Sequence, residues 1–201
     1  MGDDADRGER SQAVPDRLLA EATRMFAERG FERTSVQELV GAAGVTKGAM
    51  YHYFDSKDDL LYAIFQRLLA MQRERLDGYA KAPGPVADRL RAAAADLVRT
   101  SIENTDEAVI VSRSLHMLSP ERQRAIRAER RDYQERFLAM VEEGRREGVF
   151  RSEVPLNIVA TQFFGAVHHL GMWYRRGGGL GGAELGDHFA GLLMSGLLAR
   201  G

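Results

Sequence analysis

Residues 44–61 read GVTKGAMYHYFDSKDDLL. The run is too polar for a core helix and too aromatic for an ordinary solvated one. Thr46 stands where a side-chain oxygen would cap a helix over about Lys47–Tyr53, and Ser56-Lys-Asp-Asp59 has the spacing of a capping box that opens the next one. Upstream, Ser35-Val-Gln-Glu38 is another capping box, for a short helix that ends before Gly44. Further back, Leu18, Leu19, Ala22, Met25 and Phe26 form one apolar stripe on a helix over about Asp16–Arg29, stopped by Gly30.

Three short capped helices, the second and third joined by a tight turn at Gly44, make a helix-turn-helix pattern. Its inward places fall on Leu39, Ala43, Val45, Met50 and Tyr53, all apolar or aromatic, and Ala43 is small enough for two helices to cross closely. The outward face of the third helix is then Thr46, Lys47, Gly48, Ala49, Tyr51 and His52. This set suits DNA. A helix N-terminus offers free N–H groups to a phosphate, Thr46, Tyr51 and His52 offer short neutral donors, and Lys47 and Lys57 offer charge. Gly48 and Ala49 let the backbone approach a groove floor. Most such contacts position the protein, and base reading falls chiefly to Lys47 and Tyr51.

The stretch FAERGFERTSVQELVGAAGVTKGAMYHYFDSKDDLL resembles the N-terminal domain of the TetR family of bacterial transcriptional repressors, from about Ala13 to Phe65. The resemblance implies that Ser35, Thr46, Lys47, Gly48, Ala49, Tyr51, His52, Tyr53 and Lys57 face double-stranded operator DNA. Two departures stand out: Val40 occupies a place where the family usually has Ala, and Tyr53 one where many members have a phosphate-binding His.

Around this motif the chain reads as all-α, with about nine helices. It has five prolines, no run of alternating β-branched residues and many apolar steps at helical spacing. The expected organisation is a disordered arm at 1–14, a DNA-binding domain at 15–60, and a larger ligand-binding and dimerisation domain at 61–201. In that body, helices are predicted over about Val86–Asn104, Asp106–Met117, Pro120–Glu147, Pro155–Tyr174 and Ala183–Leu198. The last two are apolar nearly all round, more than one chain's core requires. Phe163, Val167, Leu170, Trp173, Phe189, Leu193 and Leu197 are therefore assigned to a homodimer interface, which the family resemblance also implies. Two copies would set their recognition helices about 34 Å apart.

A second group in the body suits a mostly apolar pocket: His116, Met117, Tyr133, Phe137, Met140, Phe164, His168 and Met172. The resemblance implies that a small-molecule effector enters there and releases DNA. The ending MWYRRGGGLGGAELGDHFAGLLMSGL is similar to regulators of fatty-acid, steroid or other acyl catabolism, several of which answer to CoA thioesters. Arg175 and Arg176, or Arg127, Arg130 and Arg131, could meet phosphates. The interleaving of the latter with Glu129, Asp132 and Glu135 reads more simply as a solvated face. An acyl-CoA, a free apolar metabolite and a drug-like compound remain open as effectors.

Other signals lead nowhere. The chain has no cysteine, which excludes disulfides, thiolate metal sites and a Cys nucleophile. GGGLGG at 177–182 contains G-x-G-x-x-G without the strand and acidic partner of a dinucleotide site. The adjacent His168 and His169 point apart on a helix, so no metal and no cofactor is expected. Ser112, Ser114 and His116 lack a nucleophile elbow, so the chain is not expected to be an enzyme. An acidic N-terminus and the lack of an unbroken apolar span point to the cytoplasm and away from a membrane. The net charge is −1 overall and −4 over residues 1–65, so DNA must be held by local donors. That balance leaves an alternative, a helical dimer that binds a lipid or protein with little DNA activity.

Overall fold

The computed structural model describes residues 3–175 and 179–199, with side chains from residue 14 on. Its described residues form ten α-helices and one 3-10 turn. The first four are α1 (Asp3–Arg29), α2 (Val36–Ala42), α3 (Lys47–Tyr53) and α4 (Lys57–Lys81). The body adds α5 (Val86–Glu103), α6 (Thr105–Arg113), a 3-10 turn (Leu115–Met117) and α7 (Pro120–Arg146). It closes with α8 (Leu156–His168), α9 (Leu170–Trp173) and α10 (Gly182–Leu197). Met1 and Gly2 of the expected arm, Arg176–Gly178 of the glycine loop, and the last two residues lie outside the described residues.

Three elements differ from the expectation. The first helix begins at Asp3 rather than near Asp16, so it takes in residues 3–14 of the expected arm. Three aspartates stand among its first four residues, where the helix dipole favours anions, a signal that apolar periodicity does not register. The sixth predicted helix ends at Arg113 and finishes as a 3-10 turn. The eighth breaks at His169 into α8 and the single turn α9.

The core has two centres. The first gathers Leu18, Ala22 and Phe26 of α1, Leu39 and Met50 of the helix-turn-helix, and Leu60, Leu61, Ile64 and Phe65 of α4. Ile110, Val111, Leu118 and Ile126 from the body join this same cluster. The expected boundary at residue 60 therefore falls inside α4, and α6 and the start of α7 are packed into the N-terminal unit. The second centre holds Leu90, Ala94 and Val98 of α5, Phe137 and Val141 of α7, Phe163 and Phe164 of α8, and Ala190 and Met194 of α10. α10 lies close along α5: a methyl group placed on Gly186 would come within 2.6 Å of the Ala95 carbonyl oxygen. Only glycine permits that approach. The C-terminal end is tied back by Arg151 N–H donating to the Leu197 carbonyl at 2.9 Å and Ala199 N–H to that of Val149 at 3.1 Å.

Candidate functional site

The turn between α2 and α3 is built as its sequence requires. Gly44 takes φ +62°, a left-handed conformation that side chains resist, and Val45 N–H donates to the Val40 carbonyl at 3.0 Å. Leu39, Ala43 and Met50 are buried beneath it, and Val40 is buried as well, so the bulkier residue is accommodated. Thr46 Oγ1 accepts from Ala49 N–H at 3.1 Å, which leaves its own hydroxyl hydrogen to donate outward. Ser35, Thr46, Lys47, Gly48, Tyr51 and His52 are exposed; Ala49 and Tyr53 are half-buried. The Lys47 ammonium lies 5.8 Å from the Tyr51 ring centre, and His52 meets Tyr53 edge-on at 4.8 Å. One short helix thus presents two hydroxyl donors, a cation and an imidazole on a single face.

Two expected DNA-facing residues are engaged elsewhere. Lys57 Nζ donates to the carbonyls of Phe31 at 2.7 Å and Thr34 at 2.8 Å and sits 4.3 Å from the Phe31 ring centre. Two of its three N–H bonds are spent, and burial pushes its pKa down against the pull of Glu32. Its geometry is that of a brace from α4 to the loop before α2. Ser35 closes a capping box with Glu38, its hydroxyl donating to the carboxylate at 2.7 Å. Arg17, which the sequence pattern did not single out, is exposed on α1 with Nη2 3.4 Å from the Gly44 carbonyl.

A cavity of about 370 Å³ opens where the two core centres meet. Leu68, Leu69 and Val111 belong to the N-terminal cluster and Leu97, Tyr133, Phe164 and Val167 to the body cluster, and all seven line it. Of the residues expected to form a pocket, Tyr133, Phe164, His168 and Met172 do so. The other four do not. Phe137 and Met140 are buried in the body core, where Phe137 stacks on Phe163 at 5.1 Å. His116 is exposed on the 3-10 turn, and Met117 packs against the N-terminal cluster. These misplacements share a cause: residue type marks large adaptable side chains without saying which side of a helix faces the void.

The cavity also recruits Gln72, Arg113 and Gln134, which the sequence reading passed over, and Arg130, which it weighed only for phosphate contact or a solvated face. Arg130 was expected on a solvated face. Instead its Nη2 donates to the Val111 carbonyl at 3.1 Å, and its guanidinium carbon lies 5.9 Å from the ring centre of fully buried Phe65. Burial, then the charge of Arg127, lowers its pKa. His168 borders the cavity opening and is exposed there. Partial desolvation against the cavity walls, then the charges of Arg130 and His169, push its pKa down to about 4.

The proposed dimer residues divide in two. Phe163, Val167, Leu170 and Leu197 are buried inside their own chain, and Val167 lines the cavity, so none of these is on the exposed face. Trp173 is exposed and stacks on half-buried Phe189 at 6.5 Å, and Leu193 is half-buried nearby on α10. The exposed apolar surface continues through Ile158, at 50% exposure, and Leu192, at 74%. Gly165, Gly191 and Gly196 on the same two helices have open space where a side chain would stand. Exposed apolar side chains thus alternate with open glycine positions on α8 and α10.

A donor-bearing recognition helix on one unit and a cavity on the seam with the other are the parts of a helix-turn-helix regulator. The chain belongs to the TetR family: residues 18–64 match bacterial regulatory proteins of the tetR family, and residues 83–197 match the tetracyclin repressor-like C-terminal domain. It is 28% identical over 187 residues to the HTH-type transcriptional repressor KstR2 of Rhodococcus jostii, covering 90% of this chain and 89% of that protein. The TetR family regulator PfmR from Thermus thermophilus superposes with a TM-score of 0.81 at 30% identity, covering 92% and 97% of the two chains. AibR, solved with isovaleryl coenzyme A and operator DNA, gives 0.78 at 25% identity over 90% and 98%. The chain is a DNA-binding transcriptional regulator that acts as a dimer. Among the described residues, no helix is long and apolar enough to cross a membrane.

Proposed function

We propose that this protein is a cytoplasmic repressor that leaves its operator when a small, mostly apolar acyl compound fills the seam cavity. It works by binding alone, without turnover. The observation that carries this reading is the membership of the cavity wall. Leu68, Leu69 and Val111 are packed at once against the effector space and into the core that supports α2 and α3. A ligand that displaces them moves the base on which the recognition helix stands. In a dimer, a small rotation of each unit changes the spacing of two recognition helices, and the operator then selects the unliganded form. The likeness to AibR, crystallised with an acyl-CoA and operator DNA, supports the acyl class.

On the DNA side, Thr46, Lys47, Gly48, Tyr51 and His52 make the contacts, with Lys57 and Ser35 holding the preceding loop in place. Domain roles follow the two core centres, with α4 shared between them. The test is fluorescence anisotropy of the purified dimer on DNA from upstream of its own gene, with and without octanoate and octanoyl-CoA. Specific binding that either compound weakens supports the reading. Absence of specific binding with retained affinity for the acyl compounds favours a lipid-binding dimer in its place.

A further inference from the structure

Five of the eight arginines on α7 lie within Arg124–Arg136, yet they divide sharply in space. Arg136 pairs with Asp132 at 2.7 Å and with Asp77 at 3.1 Å, Arg127 bonds to Gln123 at 3.2 Å, and Arg124 and Arg131 are exposed to solvent. Arg130 turns inward and lines the cavity. Among the described residues it has no carboxylate partner, and one carbonyl, that of Val111, takes one of its five N–H groups. Among the described residues no Asp or Glu lines the cavity. A cation withdrawn from water without a counter-charge is costly, and the cost is recovered when a ligand supplies that charge.

The neighbouring polar groups lean the same way. The Tyr133 hydroxyl has no partner among the described residues, and the Gln134 and Gln72 amides and the His168 ring also border the space. Most of the remaining wall is apolar, including Leu68, Leu69, Leu97, Phe164, Val167 and Met172, with Ser101 buried in it and Ser112, Arg113 and His169 exposed at its edge. A planar guanidinium offers two parallel N–H groups, the geometry that a carboxylate accepts. Arg113, the second arginine of the wall, is exposed at its edge, so the one guanidinium drawn inward matches the single charge of a carboxylate.

We propose that Arg130 is the anchor of an effector carrying a free carboxylate on an apolar body, with Tyr133 and Gln134 completing its hydrogen bonds. The inference rests on the seam cavity being the effector site and specifies the chemistry of that site. It places the acid group at α7 and the hydrocarbon against α4, α5 and α8.

The test compares octanoate, 3-phenylpropionate, the two matching primary amides and octanoyl-CoA by calorimetric titration and thermal unfolding. Wild type, Arg130→Gln and Arg130→Lys are used, with circular dichroism as the check on folding. Wild type should bind at least one acid tenfold or more tightly than its amide. Arg130→Gln should abolish that discrimination and Arg130→Lys should keep part of it. Equal binding of acid and amide, binding of the thioester alone, or undiminished discrimination in Arg130→Gln overturns the proposal while leaving the cavity as the effector site. Ala108→Phe, which fills the cavity, separates the two failures. If it leaves ligand binding unchanged, or if no compound binds wild type, the cavity reading fails and the anchor with it.

Discussion

Tyr51 is 44% exposed on α3, where Met50 is fully buried and Tyr53 half-buried. An aromatic ring held outward beside an ammonium group has little to gain in water, and much to gain in a groove. Lys47→Ala should weaken operator binding and reduce the dependence of log Kd on log salt by about one, the signature of one lost phosphate contact. Tyr51→Ala should weaken binding with the salt slope unchanged. Anisotropy titrations at several salt concentrations read both, and sedimentation should show the dimer intact. His168 carries a different prediction. Its folded pKa of about 4 lies below the ordinary value of 6.5, so the unfolded chain takes up that proton first. The resulting stability is complete above about 6.5 and is lost as pH falls toward 4. Thermal unfolding from pH 7.5 to 4.5 should therefore cost wild type more than His168→Gln. At this scale the sequence revealed the α3 face, because helix-turn-helix spacing assigns each position a side. The contacts of Lys57 and Arg130 were not legible, since a long flexible chain can bend toward carbonyls or into a void without changing its residue type.

Helices α2, α3 and α4 were legible because each opens on a side-chain cap that local sequence specifies. The cap is a contact between residues three apart, and no tertiary information is needed to see it. Helix α8 is the contrary case. Apolar on nearly every side, it carries no phase, so Phe163 and Val167 could be placed on a dimer face when their own chain buries them. What sets the phase is α5 and α7 on one side, and those partners are distant in sequence. The packing of α10 on α5 has a similar long-range cause and a sharp test. Gly186→Ala drives a methyl group into the Ala95 carbonyl, a backbone atom that cannot rotate away. The cost should be about 1–3 kcal/mol, as for other overpacked contacts. For a chain of this size that corresponds to a fall of roughly 2–4 °C in Tm per kcal/mol. Differential scanning calorimetry decides it, and an unchanged Tm would show that the two helices separate at little cost.

Across the whole molecule, effector and operator are linked only if the body can move the recognition helix. The described contacts offer a direct route. Arg122, at the start of α7, reaches both Asp58 and Asp59 in the first turn of α4, and its guanidinium lies 5.0 Å from the Tyr62 ring centre. Burial opposes the charge on Asp59, but hydrogen bonds from Arg122 and Ser56 outweigh it and hold the carboxyl below its usual range. Eight residues along α7 stands Arg130, and the next turn carries Tyr133 and Gln134, all lining the cavity. One rigid helix therefore touches the effector space near its middle and grips the DNA-binding unit at its end. Apolar contacts through Val111 and Leu69 form a parallel route, so losing the ionic grip should loosen the coupling rather than the fold. Arg122→Ala should still bind operator, but the ratio of operator Kd with and without saturating effector should shrink. Couplings of this kind typically amount to about 1–3 kcal/mol, and losing half of one is a change of several-fold in that ratio. Anisotropy with operator DNA, repeated at saturating effector, measures it. A ratio equal to wild type, with operator affinity and Tm both reduced, would assign Arg122 to holding the two units together and leave the apolar seam as the route between the sites.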